Sequence, residues 1–328
     1  MYSNLKKNDN KVKPYTIGLD LGGTNSVFGI VDEEGGIVAQ TSIKTQGFDN
    51  AEAYVDACME ALTPTINKVG GLEAISRMGI GAPNGNILTG CIEFAPNIPW
   101  AHDGRIPLAK MFSERLGNLP VKLTNDANAA ALGEMAFGVA RGMKDFIVLT
   151  LGTGVGSGIV SNGQLVVGCD GYAGELGHSV VVYENGRQCK CGRKGCLETY
   201  CSATGVARTA RQFLADSDEP SMLRDMDRDR ITSYDVAKAA EAGDALALRV
   251  FAFTAEIMGK ACANMAAFSS PEAFIFFGGL ANAGDLLLEP IKKVYEENVM
   301  PVFKGKAKFL LSSLEGATAA VLGAASLK

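Results

Sequence analysis

Two stretches of this chain share one unusual pattern, and that pattern limits the folds open to it. Ile17–Val31 reads IGLDLGGTNSVFGIV and Ile147–Val160 reads IVLTLGTGVGSGIV. Each is an apolar run, a glycine turn and a second apolar run, the signature of strand, tight turn and strand. A repeat of this kind points to a duplicated α/β lobe; the alternative is two unrelated glycine hairpins. With 328 residues there is chain enough for two lobes, each with its own core.

The surrounding pattern alternates strands and helices. Strands are predicted over Tyr15–Asp20, Ser26–Val31, Ile37–Ile43, Arg77–Ala82, Val121–Thr124 and Ala273–Phe277. Helices are predicted over Asn50–Val69, where Tyr54, Cys58, Ala61 and Leu62 share a face, and over the alanine-rich Ala127–Phe137. Ser233–Ser269 reads as largely helical and Thr318–Leu327 as a final small-residue helix. Asp216–Arg230 reads as a solvated loop. The expected organisation is a tail over residues 1–14, a small lobe over 15–126 completed by a C-terminal helix over 315–328, and a large lobe over 127–314.

Charge and cysteine usage exclude several classes. The net charge is -5 and the isoelectric point about 5.3, against a nucleic-acid surface. Phe146–Cys169 lacks charge, but six glycines with Asn162 and Gln164 make it a buried hairpin, not a membrane span. Three of the 8 cysteines crowd into Cys189–Cys196 and no apolar leader precedes them, so reduced thiols and a cytoplasmic location are expected.

The glycine turns carry the first chemistry. Phosphate requires close backbone approach and N–H donors, which glycine allows because it lacks Cβ and reaches positive φ. Gly22-Gly23-Thr24 and Gly152-Thr153-Gly154 offer this twice, each with a threonine hydroxyl. Neither loop has the lysine of a Walker motif, and strand follows the glycines where a dinucleotide fingerprint requires a helix. What remains is two hairpins facing one nucleotide, as in actin-like ATPases and hexokinases. Asp20, beside the first turn, either holds hydrated Mg²⁺ against the phosphates or only caps the turn.

Thr124-Asn125-Asp126-Ala127-Asn128 lies where a strand ends and a helix begins. Asp126 is then either the helix cap or a general base whose ionised form the helix dipole favours. His178, Cys189, Cys191 and Cys196 form a Cys₃His set with C-x-C-x₄-C spacing. That is a closed structural set for Zn²⁺, against the alternative of free thiols on a turn. Pinning this loop would fix Glu175 and Glu198, whose carboxylates suit pairs of sugar hydroxyls.

These residues together resemble the ROK family (repressors, uncharacterised frames, kinases), on its glucose-kinase branch. The matching stretches are LDLGGTN (Leu19–Asn25), NDANAAALGE (Asn125–Glu134), LGTGVGSG (Leu151–Gly158), GELGH (Gly174–His178), CKCGRKGCLE (Cys189–Glu198) and FGGLANAGD (Phe277–Asp285). The resemblance covers nearly everything from Tyr15 to Leu327. It implies two actin-like, ribonuclease H-like α/β lobes with the active site in the cleft between them. It implies ATP-dependent phosphorylation of the 6-hydroxyl of glucose, with Asp126 as base. Asn97, Asn125, Glu175, His178 and Glu198 would hold the hexose, and Gly22–Asn25 and Gly152–Gly154 the phosphates. Gly278 and Gly279 would flank the adenosine, and homodimers or homotetramers are expected. Ala82-Pro83-Asn84-Gly85 departs from the family's proline–glycine pair, which bears on the contacts assigned around Asn97.

Two rival readings remain open. One is a kinase for another hexose: N-acetylmannosamine, N-acetylglucosamine, fructose or allose. The other is a sugar-responsive repressor, which would require a helix-turn-helix ahead of the first strand, where only Met1–Pro14 stand.

Overall fold

The computed structural model describes residues 13–314 and 316–328. The expected tail over residues 1–14 falls almost entirely outside them. The chain divides into two compact units: residues up to Ala129 together with Ala317–Lys328, and Ala130–Gly316.

The first unit runs β1 (Tyr15–Leu21), β2 (Asn25–Val31), β3 (Ile37–Lys44), α1 (Ala51–Lys68), β4 (Ile75–Gly81), β5 (Gly85–Asn86), β6 (Cys91–Glu93), β7 (Arg105–Ile106), α2 (Leu108–Arg115) and β8 (Val121–Thr124), then enters α3 (Asp126–Phe137). Its main sheet has the order β3-β2-β1-β4-β8. The β1–β2 and β2–β3 pairs are antiparallel; β1–β4 and β4–β8 are parallel. Alternation puts Ile17, Leu19 and Leu21 of β1 in a core with Phe28, Ile30, Tyr54 and Leu62, all at most 1% exposed. Asn50 starts α1 by accepting from the Ala53 N–H at 2.9 Å.

The sheet's other face is built from glycine. Gly29, Gly18 and Gly79 are neighbours on β2, β1 and β4. A Cβ on Gly79 would stand 1.8 Å from the Ala324 carbonyl oxygen, and one on Gly18 2.1 Å from that of Val321. The C-terminal helix, Gly316–Ala325, therefore lies directly on the strands. Its small residues and the glycine row require each other.

The second unit runs β9 (Phe146–Leu151), β10 (Val155–Ser161), β11 (Gln164–Leu165), α4 (Glu198–Cys201), α5 (Ala203–Asp216), α6 (Ser233–Glu241), α7 (Ala245–Ser269), β12 (Ala273–Phe277), α8 (Asp285–Asn298) and β13 (Lys308–Leu311). Its sheet has the order β11-β10-β9-β12-β13, with the same directions: two antiparallel pairs on one side and two parallel pairs on the other. The two glycine hairpins thus hold equivalent positions in equivalent sheets, and the reading of unrelated turns falls away. Each unit is an actin-like, ribonuclease H-like α/β lobe.

The smaller differences have local causes. The helical stretch from Ser233 breaks at Gly243, whose φ of 86° is left-handed. The polar run at Asp216–Arg230 contains two 3-10 turns, Met222–Asp225 and Arg228–Arg230. The uncharged Phe146–Cys169 stretch contains β9, β10 and β11, and no described helix is long and apolar enough to cross a membrane. All eight cysteines are free.

Candidate active site

Asn125 and Asp126 divide two tasks at the start of α3. The Asn125 side chain accepts from the Asn128 N–H at 2.7 Å, which makes Asn125 the helix cap. Asp126 is the first helical residue, its carboxylate accepting from the Ala127 N–H at 2.9 Å and still reaching solvent. The capping alternative for Asp126 is therefore taken by its neighbour. Burial nevertheless pushes the Asp126 carboxyl above its ordinary range, against the Ala127 N–H, which favours the anion. The dipole does not win here; desolvation does.

Asp20, at the end of β1, is pushed up to about 6, first by burial and then by the charge of Asp126. Folding therefore favours its protonated form. The cost of ionising it is absent below the unfolded value near 3.8 and complete above about 6. Asp20→Asn should raise the melting temperature of ligand-free protein at pH 7.5, by at most about 2 kcal/mol of stability after allowing for partial exposure. The gain should vanish below pH ~4. Paired melting curves at the two pH values check this; equal gains at both would refute it.

The first glycine turn closes through Gly22 N–H to the Asn25 carbonyl at 3.0 Å. Asn25 accepts from Lys44 Nζ at 3.0 Å, and Gln46 Nε2 donates to the Gly23 carbonyl at 2.8 Å. Asn97 comes to the same turn: a Cβ on Gly23 would stand 3.5 Å from its carbonyl oxygen. In the first unit, then, the structure gathers Asp20, Gly22–Asn25 and Asn97 around one loop.

In the second unit, Gly152 N–H donates to the Gly154 carbonyl at 3.1 Å. This turn is seated on the start of α5, where the Ala203 N–H donates to the Gly152 carbonyl at 2.8 Å and Thr204 Oγ1 to that of Thr153 at 2.7 Å. The expected reason for these glycines needs correction. None of Gly22, Gly23, Gly152 or Gly154 has left-handed φ. Space is what two of them supply: a Cβ on Gly154 would lie 2.6 Å from Glu198 Oε2, and one on Gly22 3.0 Å from the Asn25 carbonyl oxygen.

Gly278, by contrast, is left-handed at φ 102°, and a Cβ there would meet the Leu151 carbonyl oxygen at 2.8 Å. With Gly279 it borders a cavity of about 760 Å³ whose far wall is Leu311–Leu314. That volume suits a nucleoside. Sequence reasoning missed this wall and its anchor. Glu134, 1% exposed near the end of α3, accepts from Ser312 Oγ and from the Val139 N–H at 2.9 Å. An acid deep in an alanine-rich helix was the available signal.

The Cys₃His set converges. One ligand atom from each of His178, Cys189, Cys191 and Cys196 lies within 4.8 Å of all the others. Cys191 and Cys196 sulfurs are 3.6 Å apart, and Cys189 Sγ is 3.7 Å from His178 Nδ1. Ligands of a tetrahedral zinc stand roughly 3.5–3.8 Å apart, so the donors fit that ion. Left-handed glycines fold the loop: Gly192 at φ 88° and Gly195 at φ 81°. Gly177 brings GELGH onto β10, since a Cβ there would lie 1.8 Å from the Val155 carbonyl oxygen. Glu175, just upstream, is exposed.

Glu198 stands between the Cys₃His set and the glycine turn. Its Oε1 accepts from Cys189 Sγ at 3.0 Å, and its Oε2 faces Gly154. Through Glu198 the Cys₃His loop lies directly against the Gly152–Gly154 turn.

The ROK family model matches residues 16–328. The chain belongs to the ROK family. It is 39% identical over 310 residues to a glucokinase of Halalkalibacterium halodurans, spanning 94% of this chain and 92% of that relative. It is 36% identical to a glucokinase of Thermotoga maritima over 95% of this chain and 96% of the relative. Among solved structures, it is similar to a ROK family glucokinase from Streptomyces griseus in complex with glucose and AMPPNP, with TM-score 0.76 and 37% identity. That likeness covers 95% of this chain and 98% of the other.

Proposed function

We propose that this ROK protein transfers the γ-phosphate of ATP to the 6-hydroxyl of glucose. The observation that carries a catalytic reading is the arrangement at α3: Asn125 caps the helix and leaves the Asp126 carboxylate accessible to a hydroxyl. Glucose and ATP are supported by the full-length likeness to glucokinases, one of them solved with glucose and AMPPNP.

The chemistry then follows. The hexose O6 forms a bond to the γ-phosphorus while the bond from that phosphorus to the β–γ bridging oxygen breaks, and ADP leaves. The transition state is loose, so Asp126 first orients the hydroxyl and takes its proton late. A carboxyl raised by burial is a better proton acceptor than an ordinary one, provided it is ionised at working pH. Gly22–Asn25 and Gly152–Gly154 give the phosphates backbone N–H groups, and Gly278 and Gly279 border the adenosine. Mg²⁺, when bound, offsets the phosphate charge, and Asp20 would hold it through its waters. The proximity of Asp20 and Asp126 favours a cation between them and the phosphates.

Asn97, Asn125, Glu175, His178 and Glu198 would bind the sugar. With Nδ1 turned to the thiols, His178 has Nε2 to offer a hydroxyl. Zinc in the Cys₃His set would be structural, since four protein ligands close its shell. The two units would be the kinase's two lobes. Homodimer or homotetramer assembly and a cytoplasmic location follow from the family resemblance.

A panel of glucose, N-acetylmannosamine, N-acetylglucosamine, fructose and allose with ATP tests the substrate. Glucose should give the highest kcat/KM, by about tenfold or more over each of the others. A larger value for any other sugar would reassign the substrate within the same chemistry.

A further inference from the structure

We propose that Trp100 is a positioning residue that couples hexose binding at the Asn97 loop to the phosphate turn Gly22–Thr24. The inference rests on the kinase reading above, which gives those two loops their ligands.

Trp100 is the chain's only tryptophan, and it is 8% exposed. Its loop closes on itself: the Ala95 N–H donates to the Ala101 carbonyl at 3.0 Å, Ile98 N–H to Ala95 at 3.1 Å and Ala101 N–H to Ile98 at 2.9 Å. Ala95, Ile98 and Ala101 are at most 1% exposed. Asn97 and Trp100 are therefore carried on one small rigid turn.

From that turn a continuous set of bonds leads to the glycines. The Trp100 indole N–H donates to the Thr45 carbonyl at 2.8 Å. Thr45 N–H donates in turn to the Thr24 carbonyl at 2.9 Å. The Thr45 hydroxyl meets Ser26 Oγ at 2.8 Å, and Ser26 meets the Tyr54 hydroxyl at 2.7 Å. Tyr54 closes the circuit by stacking on Trp100, ring centres 4.4 Å apart and planes 22° from parallel. Thr45, Ser26 and Tyr54 are all fully buried. Buried, satisfied networks move as units, because breaking one member strands the rest. A shift of Asn97 toward a sugar must move Trp100, and Trp100 holds Thr45, the residue just past β3 that holds Thr24.

Such a link predicts an energetic coupling that a passive brace would not produce. Calorimetric titration of AMP-PNP with and without saturating glucose measures it. In the wild type, glucose should tighten AMP-PNP binding about fivefold or more. Trp100→Phe keeps a ring against Tyr54 and removes the N–H donor. It should cut that factor below about twofold, with glucose affinity alone changed far less. Wild-type coupling retained in the folded variant would overturn the proposal, as would a wild type that binds both ligands without coupling. A wild type that binds neither ligand overturns the kinase reading, and this inference with it. Should the variant not fold, the wild type decides: glucose alone should shift Trp100 emission and slow hydrogen exchange at the Thr45 amide. No change in either signal, with glucose demonstrably bound, would overturn it.

Discussion

Asp126→Asn is expected to lower kcat by roughly 10²–10⁴, with glucose affinity changed far less. The substitution keeps the side chain's shape and can keep the Ala127 N–H contact through its amide oxygen. It cannot accept the hydroxyl proton. Because Asn125 is the cap, α3 should start normally and the melting temperature should not fall. It should rise at neutral pH, since burial disfavours the charge that the change removes. The wild-type kcat/KM should also decline on acidification, because protonating a raised carboxyl removes the base before an ordinary aspartate would titrate. Steady-state kinetics with calorimetry of glucose binding check all three points. Near-normal turnover in the variant would remove Asp126 from the chemistry.

Cys191→Ser is expected to raise the glucose KM about tenfold or more, through loss of several oriented hydrogen bonds worth about 0.5–1.5 kcal/mol each. Wild-type protein should carry one zinc per chain by metal analysis, and the variant less. The geometry of the second unit adds a second effect. Glu198 faces Gly154 from within the metal loop, and the short α4 carries the chain on to the Ala203 and Thr204 contacts with the glycine turn. Loosening the loop should therefore also weaken AMP-PNP binding, by roughly two- to fivefold. Folded variant protein with unchanged glucose affinity, or wild-type protein without zinc, would dismiss the metal's role. Weakened glucose binding with unaltered AMP-PNP binding would dismiss only the link to the turn.

The glycine hairpins and the Cys₃His set were legible because their chemistry is local. A strand–turn–strand pattern lies within 15 residues, and the three cysteines within eight. The duplication was legible through the hairpins, and the matching strand orders bear it out. What was not legible depended on distance along the chain. Gly154 and Glu198 are far apart in sequence, and nothing local announces their contact. Ser312 likewise meets Glu134 across most of the second unit. The choice between Asn125 and Asp126 as cap turned on side-chain direction, since both residue types cap helices equally well. The glycine row at Gly18, Gly29 and Gly79 was visible only as composition until the C-terminal helix stood on it.

The most direct measurement is phosphorus NMR of the wild-type protein incubated with glucose, ATP and Mg²⁺. Glucose 6-phosphate should accumulate with an equal amount of ADP, and inorganic phosphate should stay near background. ATP consumed to inorganic phosphate without a sugar phosphate, phosphate on another hydroxyl, or no reaction at all would contradict a glucose 6-kinase.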